Sequence, residues 1–432
     1  MTIYDEAMQM KEELVACRRD FHAHPELAWT EFRTASHVAK SLKALGYEVL
    51  MGDACMKADE MMGVPDKAEL SRAMGRAIKE GADPELVKKM EGGKTGVVGI
   101  MHFAKPGKTV GLRFDMDCLL VEENPTDAHR PTRDGFASTH PGLMHACGHD
   151  GHTAIGLGVA RLIAAHKDEM AGTVKLCFQP GEEGVMGARG MVASGIVDDV
   201  DYFLSGHIGL GNGENNSLVC MTEGFLATSK IDAFFTGKPA HAGANPQNGR
   251  NALLAAAQAS LALHTISRHS DGPSRINVGI LKAGTGRNVI PDNAVIKFET
   301  RGGSTAINEF MEGEARRMIK AAADMYGVTV KMVARGSAAS GNSSPDMGEE
   351  VYEVVKGLGV YSDIEKNHTV SGSEDCSYFM SRVQDHGGKA VYMLYGTEEA
   401  SGHHTSEFDF NEDVLPLSVY TVTELVKHFT NK

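Results

Sequence analysis

The sequence predicts an α/β protein in which a split α/β-sandwich catalytic domain with a mixed sheet carries a smaller inserted domain. Two observations favour this class. Before residue 225, short apolar strands alternate with helical segments, as they do in α/β sandwiches. After residue 225, the order becomes strand, helix, strand, strand, helix, strand over about a hundred residues, which is typical of a ferredoxin-like domain. At 432 residues, the chain is also too long for one hydrophobic core.

The first part of the chain begins the alternation with a helix. Apolar residues from Phe32 to Leu45 fall at helical spacing, and Thr30 is the expected N-cap. The elements that follow are strands at 97–101 and 110–114, expected to be neighbours, a helix at 152–166 and a strand at 174–178. Residues 52–95 interrupt this order, and their Met-, Lys- and Glu-rich composition with two prolines predicts an inserted helical pair.

The second part of the chain supplies the inserted domain. Its predicted elements are strands at 229–235, 276–283, 294–300 and 329–333 and helices at 250–268 and 306–326. A Gly- and Ser-rich segment at 336–345 predicts a linker, after which the α/β pattern resumes. The predicted layout is a catalytic domain built from 1–224 and 336–432, interrupted by a domain at 225–335.

Composition restricts the classes of partner and compartment. A formal charge of -14 argues against a nucleic-acid surface or an anionic membrane as partner. Seven cysteines, an odd number without any CxxC pair, predict a reduced, cytoplasmic protein. We expect no signal peptide and no membrane-spanning segment.

The stretch from His145 to His152 concentrates three histidines, a cysteine and an aspartate within eight residues. Thiolate and imidazole ligands suit zinc, cobalt, manganese or nickel. Cys147 and His149 lie two residues apart just before a helix, where a turn can point both side chains the same way. The alternative is a purely structural metal site, or buried histidines with no metal at all.

A pair of adjacent glutamates follows an apolar strand. Glu182 and Glu183 lie between Gly181 and Gly184, which permit a sharp turn that separates the two carboxylates. One carboxylate is then able to bind metal while the other takes a proton from water. The alternative for this pair is a solvated acidic loop.

Further candidate ligands follow other strands. His207 ends an apolar strand, and His403 and His404 lie together near the C-terminus. Each of these histidines alone has a core or surface position as its alternative. Asp115 and Asp117 end another strand on one side of it, where they are suited to orient imidazoles from behind the ligands.

Taken together, the ordered motifs resemble one metallo-amidohydrolase family. The matching segments are 18–27, 113–117, 144–150, 179–184, 206–207 and His404. The family contains plant auxin-conjugate hydrolases, hippurate hydrolases and bacterial N-acyl-amino-acid amidohydrolases, with glutamate carboxypeptidase as a more distant member. The resemblance covers nearly the whole chain.

The resemblance implies a dinuclear centre with two divalent ions, manganese or zinc foremost, that share Cys147. Its other ligands would be His149 and His207 for one ion and Glu183 and His404 for the second. It further implies that Glu182 acts as general base and acid. The choice of His404 over His403 depends on its spacing to the following Phe408.

The resemblance extends into the inserted domain. His241 matches the family's lid histidine, which in dimers reaches toward the neighbouring subunit's active site. Asn288 and Arg301 match segments that grip a substrate carboxylate. Without the resemblance, His241 would be an ordinary loop histidine and Arg301 a surface charge.

Two features resemble the branch of the family that hydrolyses p-aminobenzoyl-glutamate: the insertion at 52–95 and the segment 128–138. The implied reaction is amide hydrolysis to p-aminobenzoate and glutamate, in a dimer formed through the inserted domain or with a homologous B-type subunit. Three alternatives stay open. They are a general aminoacylase or hippurate hydrolase, a non-catalytic metal-binding subunit, and a cysteine hydrolase with Cys147 as nucleophile and His149 or His152 as base.

Overall fold

The computed structural model describes residues 1–211 and 213–432. It divides into two compact units. The first comprises Met1–Glu223, Asn342–Val370 and Tyr378–Lys432, and the second comprises Gly224–Gly341 and Ser371–Ser377. The predicted α/β class with a mixed sheet is confirmed.

The regular elements alternate along most of the chain. The helices are α1 (Ile3–Gln9), α2 (Lys11–Ala23), α3 (Phe32–Ala44), α4 (Lys67–Lys79), α5 (Pro84–Lys89), α6 (Arg130–Arg133), α7 (His149–Ala165), α8 (Ala188–Val192), α9 (Ala252–Leu263), α10 (Thr305–Tyr326), α11 (Pro345–Leu358), α12 (Cys376–Asp385) and α13 (Val414–Thr430). The strands are β1 (Glu48–Met51), β2 (Val97–His102), β3 (Lys105–Asp115), β4 (Ala171–Gln179), β5 (Tyr202–Ile208), β6 (Ser217–Glu223), β7 (Ala227–Thr236), β8 (Ser274–Ala283), β9 (Asn293–Gly302), β10 (Thr329–Ala338), β11 (Asp363–Thr369) and β12 (Lys389–Gly396).

The first unit is built on an eight-stranded mixed sheet with the order β1-β2-β4-β3-β5-β12-β6-β11. The expectation that β2 and β3 are neighbours is wrong. β4 lies between them and pairs antiparallel with β2 and parallel with β3. The chain leaves β3, passes through α7 and returns as β4, so this crossover places β4 on the side of β3 where β2 would have paired.

Helix α7 lies at the centre of the first unit and is buried along nearly its whole length. It begins at His149, three residues earlier than predicted, so a candidate ligand occupies its first turn. Helix α3 begins at Phe32 after Glu31, so the assignment of Thr30 as N-cap is also wrong. The Thr30 hydroxyl instead donates to the Leu27 carbonyl oxygen at 2.7 Å, which closes the preceding turn.

The two helices expected within residues 52–95 are α4 and α5. Each begins after an aspartate, Asp66 or Asp83, whose side chain accepts hydrogen bonds from the first turn. Leu70, Ala73 and Ala77 form the buried stripe of α4. The segment is therefore packed as a structured part of the first unit.

The second unit has its elements in the order β7, α9, β8, β9, α10, β10. Its sheet has the order β10-β7-β9-β8, and every neighbouring pair is antiparallel. The predicted linker at 336–345 is wrong for its first three residues, because β10 stays paired with β7 through Ala338. In the described residues, no helix combines the length and apolar character that crossing a bilayer requires.

Candidate metal centre

Cys147 and His149 are brought together by the turn that starts α7. Gly148 between them adopts a left-handed conformation with φ of 86°, which favours glycine. The Nδ1–H of His149 donates to the Asp117 carbonyl oxygen at 2.9 Å. This bond leaves the Nε2 of His149 as the free ligand atom, and that atom is buried with no hydrogen-bond partner in the described structure.

The predicted ligands converge in two overlapping groups. The ligand atoms of Cys147, His149 and His207 all lie within 4.8 Å of one another, and so do those of Cys147, Glu183 and His404. The Cys147 Sγ lies 3.5 Å from the His207 Nε2. Cys147 belongs to both groups, as one thiolate shared between two ions requires.

The glutamate pair is positioned by Asp117, which lies two residues beyond the end of β3. The Asp117 carboxylate accepts the backbone N–H groups of Glu182 and Glu183, each at 2.9 Å. The preceding Gly181 has φ of 63°, and its N–H donates to the buried Glu31 at 2.8 Å. Asp117 therefore orients His149 with its carbonyl and fixes the glutamate turn with its carboxylate, a double role that the sequence did not predict.

Asp115 orients His152, which is not one of the predicted metal ligands. Its Oδ1 accepts from the His152 Nδ1 at 2.5 Å, and its Oδ2 accepts from Arg113 at 2.6 Å. Burial alone would raise the pKa of Asp115, but the charges of His149, Arg113 and His152 outweigh it and hold that pKa well below its usual range. The His152 Nε2 accepts the Ile208 N–H at 2.8 Å, so neither nitrogen of His152 is available as a base for Cys147.

Both C-terminal histidines approach the site. The His404 Nε2 lies 3.6 Å from Glu183 Oε1, and the His404 N–H donates to the Ala146 carbonyl at 2.7 Å. His404 has a positive φ of 64°. The His403 Nδ1 lies 3.6 Å from Cys147 Sγ, while its Nε2 contacts Glu399 at 2.9 Å. The geometry supports His404 as the partner of Glu183 and also makes His403 a neighbour of the thiol.

The chemistry of these side chains fits divalent cations. Besides the His149 Nε2, the Oε1 of Glu183 is buried and has no hydrogen-bond partner in the described structure. Burial also raises the pKa of Glu183 to about 7 and that of Cys147 well above its usual value. An unpaired buried polar group costs about 1–3 kcal/mol, and ligation of a divalent ion removes that cost. Nitrogen, sulfur and carboxylate donors together suit zinc or manganese.

A buried ion-pair network lies behind the site, and the sequence did not indicate its pairings. Arg18 is fully buried and contacts Asp150 at 2.8 Å, Asp409 at 2.9 Å and Glu412 at 3.1 Å. Asp150 also accepts from the His22 ring at 2.8 Å. These partners are up to 394 residues apart in sequence, so only the folded chain reveals them.

The remaining predicted site residues belong to the second unit. The His241 Nδ1 accepts the N–H groups of Gly243 at 3.1 Å and Ala244 at 3.0 Å, which puts the ring proton of neutral His241 on Nε2. The backbone carbonyl of Asn288 accepts the Ala242 N–H at 3.0 Å, so Asn288 lies beside the His241 segment. The Arg301 Nε donates to Glu299 at 3.0 Å, so the guanidinium already has a carboxylate partner.

The fold and the site define an amide-bond hydrolase with a candidate metal centre. The chain belongs to peptidase family M20/M25/M40, whose model matches residues 111–428. The predicted family and enzyme class are confirmed.

Individual relatives match over nearly the whole chain. It is 48% identical to indole-3-acetyl-aspartic acid hydrolase of Enterobacter agglomerans, over 98% of this chain and 97% of the relative. It is 47% identical to the A-type subunit of p-aminobenzoyl-glutamate hydrolase from Escherichia coli K12, over 95% of this chain and 94% of that protein. The crystal structure of aminobenzoyl-glutamate utilization protein from Klebsiella pneumoniae matches with a TM-score of 0.85 and 39% identity, covering 99% of this chain and 98% of that one.

Proposed function

We propose that this protein hydrolyses the amide bond of p-aminobenzoyl-glutamate, giving p-aminobenzoate and glutamate. The observation that carries the chemistry is the convergence of ligand atoms around Cys147, with Glu182 beside them. The choice of substrate is supported by the names of the Escherichia coli and Klebsiella pneumoniae relatives.

Five side chains would hold two divalent ions, either manganese or zinc. One ion would be held by Cys147, His149 and His207, and the other by Cys147, Glu183 and His404. When bound, such ions lower the pKa of water and polarise a carbonyl group. The two buried atoms without partners, on His149 and Glu183, support this assignment.

Glu182 is the proposed general base and acid. Its Oε2 lies 3.9 Å from the His149 Nε2, so its carboxylate borders the ligand group, and its backbone is held by Asp117. Glu182 takes a proton from the attacking water and later delivers it to the leaving amide nitrogen. Asp117 fixes the backbone of Glu182 and Glu183, while Asp115 holds the ring of His152.

The second unit is the proposed ferredoxin-like lid. His241 donates from Nε2 to the developing oxyanion, a role supported by the tautomer that its two backbone contacts impose. Asn288 and Arg301 are proposed to hold the carboxylates of the amino acid; they lie at opposite ends of β9, so the two residues at one site would come from different copies of the dimer. Arg301 then gives up its bond to Glu299 and binds the substrate carboxylate.

The second unit is also the proposed dimerisation surface, formed with a second copy or with a homologous B-type subunit in the cytoplasm. Ile280 and Leu281 on the edge strand β8 are exposed, as are Leu254 and Leu261 on α9. Exposed apolar side chains on an edge strand and a helix favour association. The Escherichia coli relative is named as one lettered subunit of its hydrolase, which supports the heteromeric form.

A panel of substrates tests the function. The metal-loaded protein is assayed with p-aminobenzoyl-glutamate, hippurate, N-acetyl amino acids and indole-3-acetyl-aspartate, which the 48% identical relative makes the second candidate. We expect the highest kcat/KM with p-aminobenzoyl-glutamate. A preference for hippurate or N-acetyl amino acids would contradict the proposal and favour a general aminoacylase. A preference for indole-3-acetyl-aspartate would contradict it in favour of the second candidate.

A further inference from the structure

A cavity of about 620 Å³ in the first unit is lined by Glu183 and Gly184 at the candidate metal centre. Most of its other lining is apolar and includes Leu27, Ala28, Pro65, Leu119, Leu143 and Met186. The volume lies within the range of about 300–1,000 Å³ that is usual for small-molecule sites. The cavity is therefore large enough for one substituent of a substrate whose amide lies at Glu182 and Glu183.

One wall of this cavity comes from the 52–95 insertion, which is firmly attached to the rest of the first unit. Trp29 is fully buried, and its indole N–H donates to the Met62 carbonyl at 2.8 Å. At the end of α4, the Glu80 carbonyl accepts from Arg33 at 3.1 Å, and the Glu80 carboxylate contacts His140 at 2.8 Å. These contacts fix the wall, so the cavity is preformed.

Helix α4 presents two polar side chains to the cavity, Glu69 and Arg76. They lie seven residues apart, which is two helical turns, and so share one face of the helix. The Glu69 Oε2 pairs with Arg72, which leaves its Oε1 able to accept another hydrogen bond. The Nε of Arg76 is buried and has no hydrogen-bond partner among the described residues.

The acid nearest to Arg76 in its electrostatics is Glu26, whose carboxylate also binds the backbone of the next helix. Burial raises the pKa of the nearby Glu26, and the positive charge of Arg76 is close enough to oppose that rise. The Glu26 carboxylate, however, accepts the backbone N–H groups of Arg33 at 3.0 Å and Thr34 at 2.8 Å. Because the buried Nε–H of Arg76 has no hydrogen-bond partner among the described residues, the planar guanidinium is able to interact with a ligand, and an aromatic ring face is a partner it suits.

From this lining we infer that the cavity binds the acyl group of the substrate, and that it selects an aromatic ring carrying an N–H donor. The ring packs against Arg76 and the apolar walls, and the donor bonds to Glu69. The inference rests on the proposed function, and it assigns recognition of the acyl group to the 52–95 insertion.

The acidic amino acid is a poorer occupant of this cavity. It carries two carboxylates, whereas the cavity offers one unpaired guanidinium among apolar side chains and adds the carboxylate of Glu69. Burying the second carboxylate beside Glu69, with no further guanidinium to pair with it, is costly. The aromatic acyl group is uncharged, so its burial in the cavity leaves no charge without a partner.

Three substrates with the same amino acid test this inference on the metal-loaded enzyme: p-aminobenzoyl-glutamate, benzoyl-glutamate and N-acetyl-glutamate. We expect kcat/KM to decrease in that order. Arg76→Gln should lower kcat/KM about tenfold for both aromatic substrates and less than about threefold for N-acetyl-glutamate. Glu69→Gln should lower it about tenfold for p-aminobenzoyl-glutamate alone. Lys79→Gln, an exposed charge loss on the same helix, is the matched control.

The possible results distinguish a failure of this inference from a failure of the proposed function. Equal losses for all three substrates in Arg76→Gln would show that the cavity binds the amino acid and would overturn the acyl assignment. Equal wild-type activity on all three would overturn it as well. If wild-type protein hydrolyses none of them, either alone or copurified with a homologous B-type subunit, the proposed function itself fails. Circular dichroism melting curves of each variant confirm that it folds.

Discussion

Glu182 and Glu183 have different proposed functions, although they are neighbours in the sequence. Glu183 points an unpartnered, buried oxygen toward the ligand group and lies 3.6 Å from the His404 Nε2. Glu182 borders the same group at 3.9 Å from the His149 Nε2. Asp117 fixes the turn that carries both glutamates by accepting their backbone N–H groups.

Substitution of the two glutamates separates these roles. Glu182→Gln should retain both ions and lose turnover by about 10²–10⁴-fold, because the amide cannot accept the proton from water. Glu183→Gln, the matched control, should lose one ion. Metal analysis by mass spectrometry beside the hydrolysis assay measures both effects. Retained turnover in Glu182→Gln would remove it from the mechanism.

His241 is expected to act in the transition state and not in substrate binding. His241→Ala should lower kcat about 10²–10³-fold and leave KM within about threefold, because the lost donor faces only the developing oxyanion. Steady-state kinetics with p-aminobenzoyl-glutamate measure the split. A change confined to KM would contradict this role.

At the residue level, the sequence predicted more of the candidate ligands than of the hydrogen bonds that hold them in place. Cys147, His149 and Glu183 are predictable because their spacing and flanking glycines are local properties. The second task of Asp117 and the bond from Gly181 to Glu31 depend on distant segments meeting, so no local pattern contains them. The contact between His403 and Cys147 likewise needs the folded C-terminal loop.

At the level of elements, the buried Arg18 network joins α2 to the start of α7 and to the segment before α13. Arg18→Met should lower the free energy of unfolding by about 3–5 kcal/mol, because it leaves buried carboxylates without their cation. Arg161→Met, which removes an exposed pair with Glu13, should cost less than about 1 kcal/mol. Urea denaturation measures both. Equal losses of unfolding free energy in the two variants would contradict a stabilising role for the buried Arg18 network.

The same network predicts how stability depends on pH. Burial alone would raise the pKa of Asp150, but Arg18 and His22 outweigh it and hold that pKa well below its ordinary value. A lowered folded-state pKa adds stability above the unfolded value of about 4 and loses it as the pH falls further. The free energy of unfolding should therefore drop steeply below about pH 4. In Asp150→Asn this drop should be shallower, and an unchanged slope in denaturation series would contradict the assignment.

The type of each element, helix or strand, was predictable where the apolar periodicity is strong. Which strands lie next to each other in the sheet was not predictable. The apolar runs at 97–101 and 110–114 do form β2 and β3. Their separation by β4 follows from a crossover through α7, which only tertiary packing decides. Threonine is a residue type that often caps helices, but the hydroxyl of Thr30 donates a hydrogen bond within the preceding turn.

At the level of the whole molecule, activity and stability should both depend on divalent ions. Chelation should abolish hydrolysis and lower the melting temperature, because ions that bind only the folded state stabilise it by mass action. Manganese or zinc should restore both. Activity that survives chelation but is lost on thiol alkylation would instead favour Cys147 as a nucleophile. Calorimetry and assays before and after metal restoration distinguish the two.

Anomalous X-ray diffraction from crystals grown with manganese or zinc tests the dinuclear centre most directly. We predict two anomalous peaks on either side of the Cys147 Sγ. His149 and His207 should bind one ion and Glu183 and His404 the other, with Glu182 outside both coordination shells. Peaks remote from Cys147, or Glu182 bound as a ligand, would contradict the proposed centre.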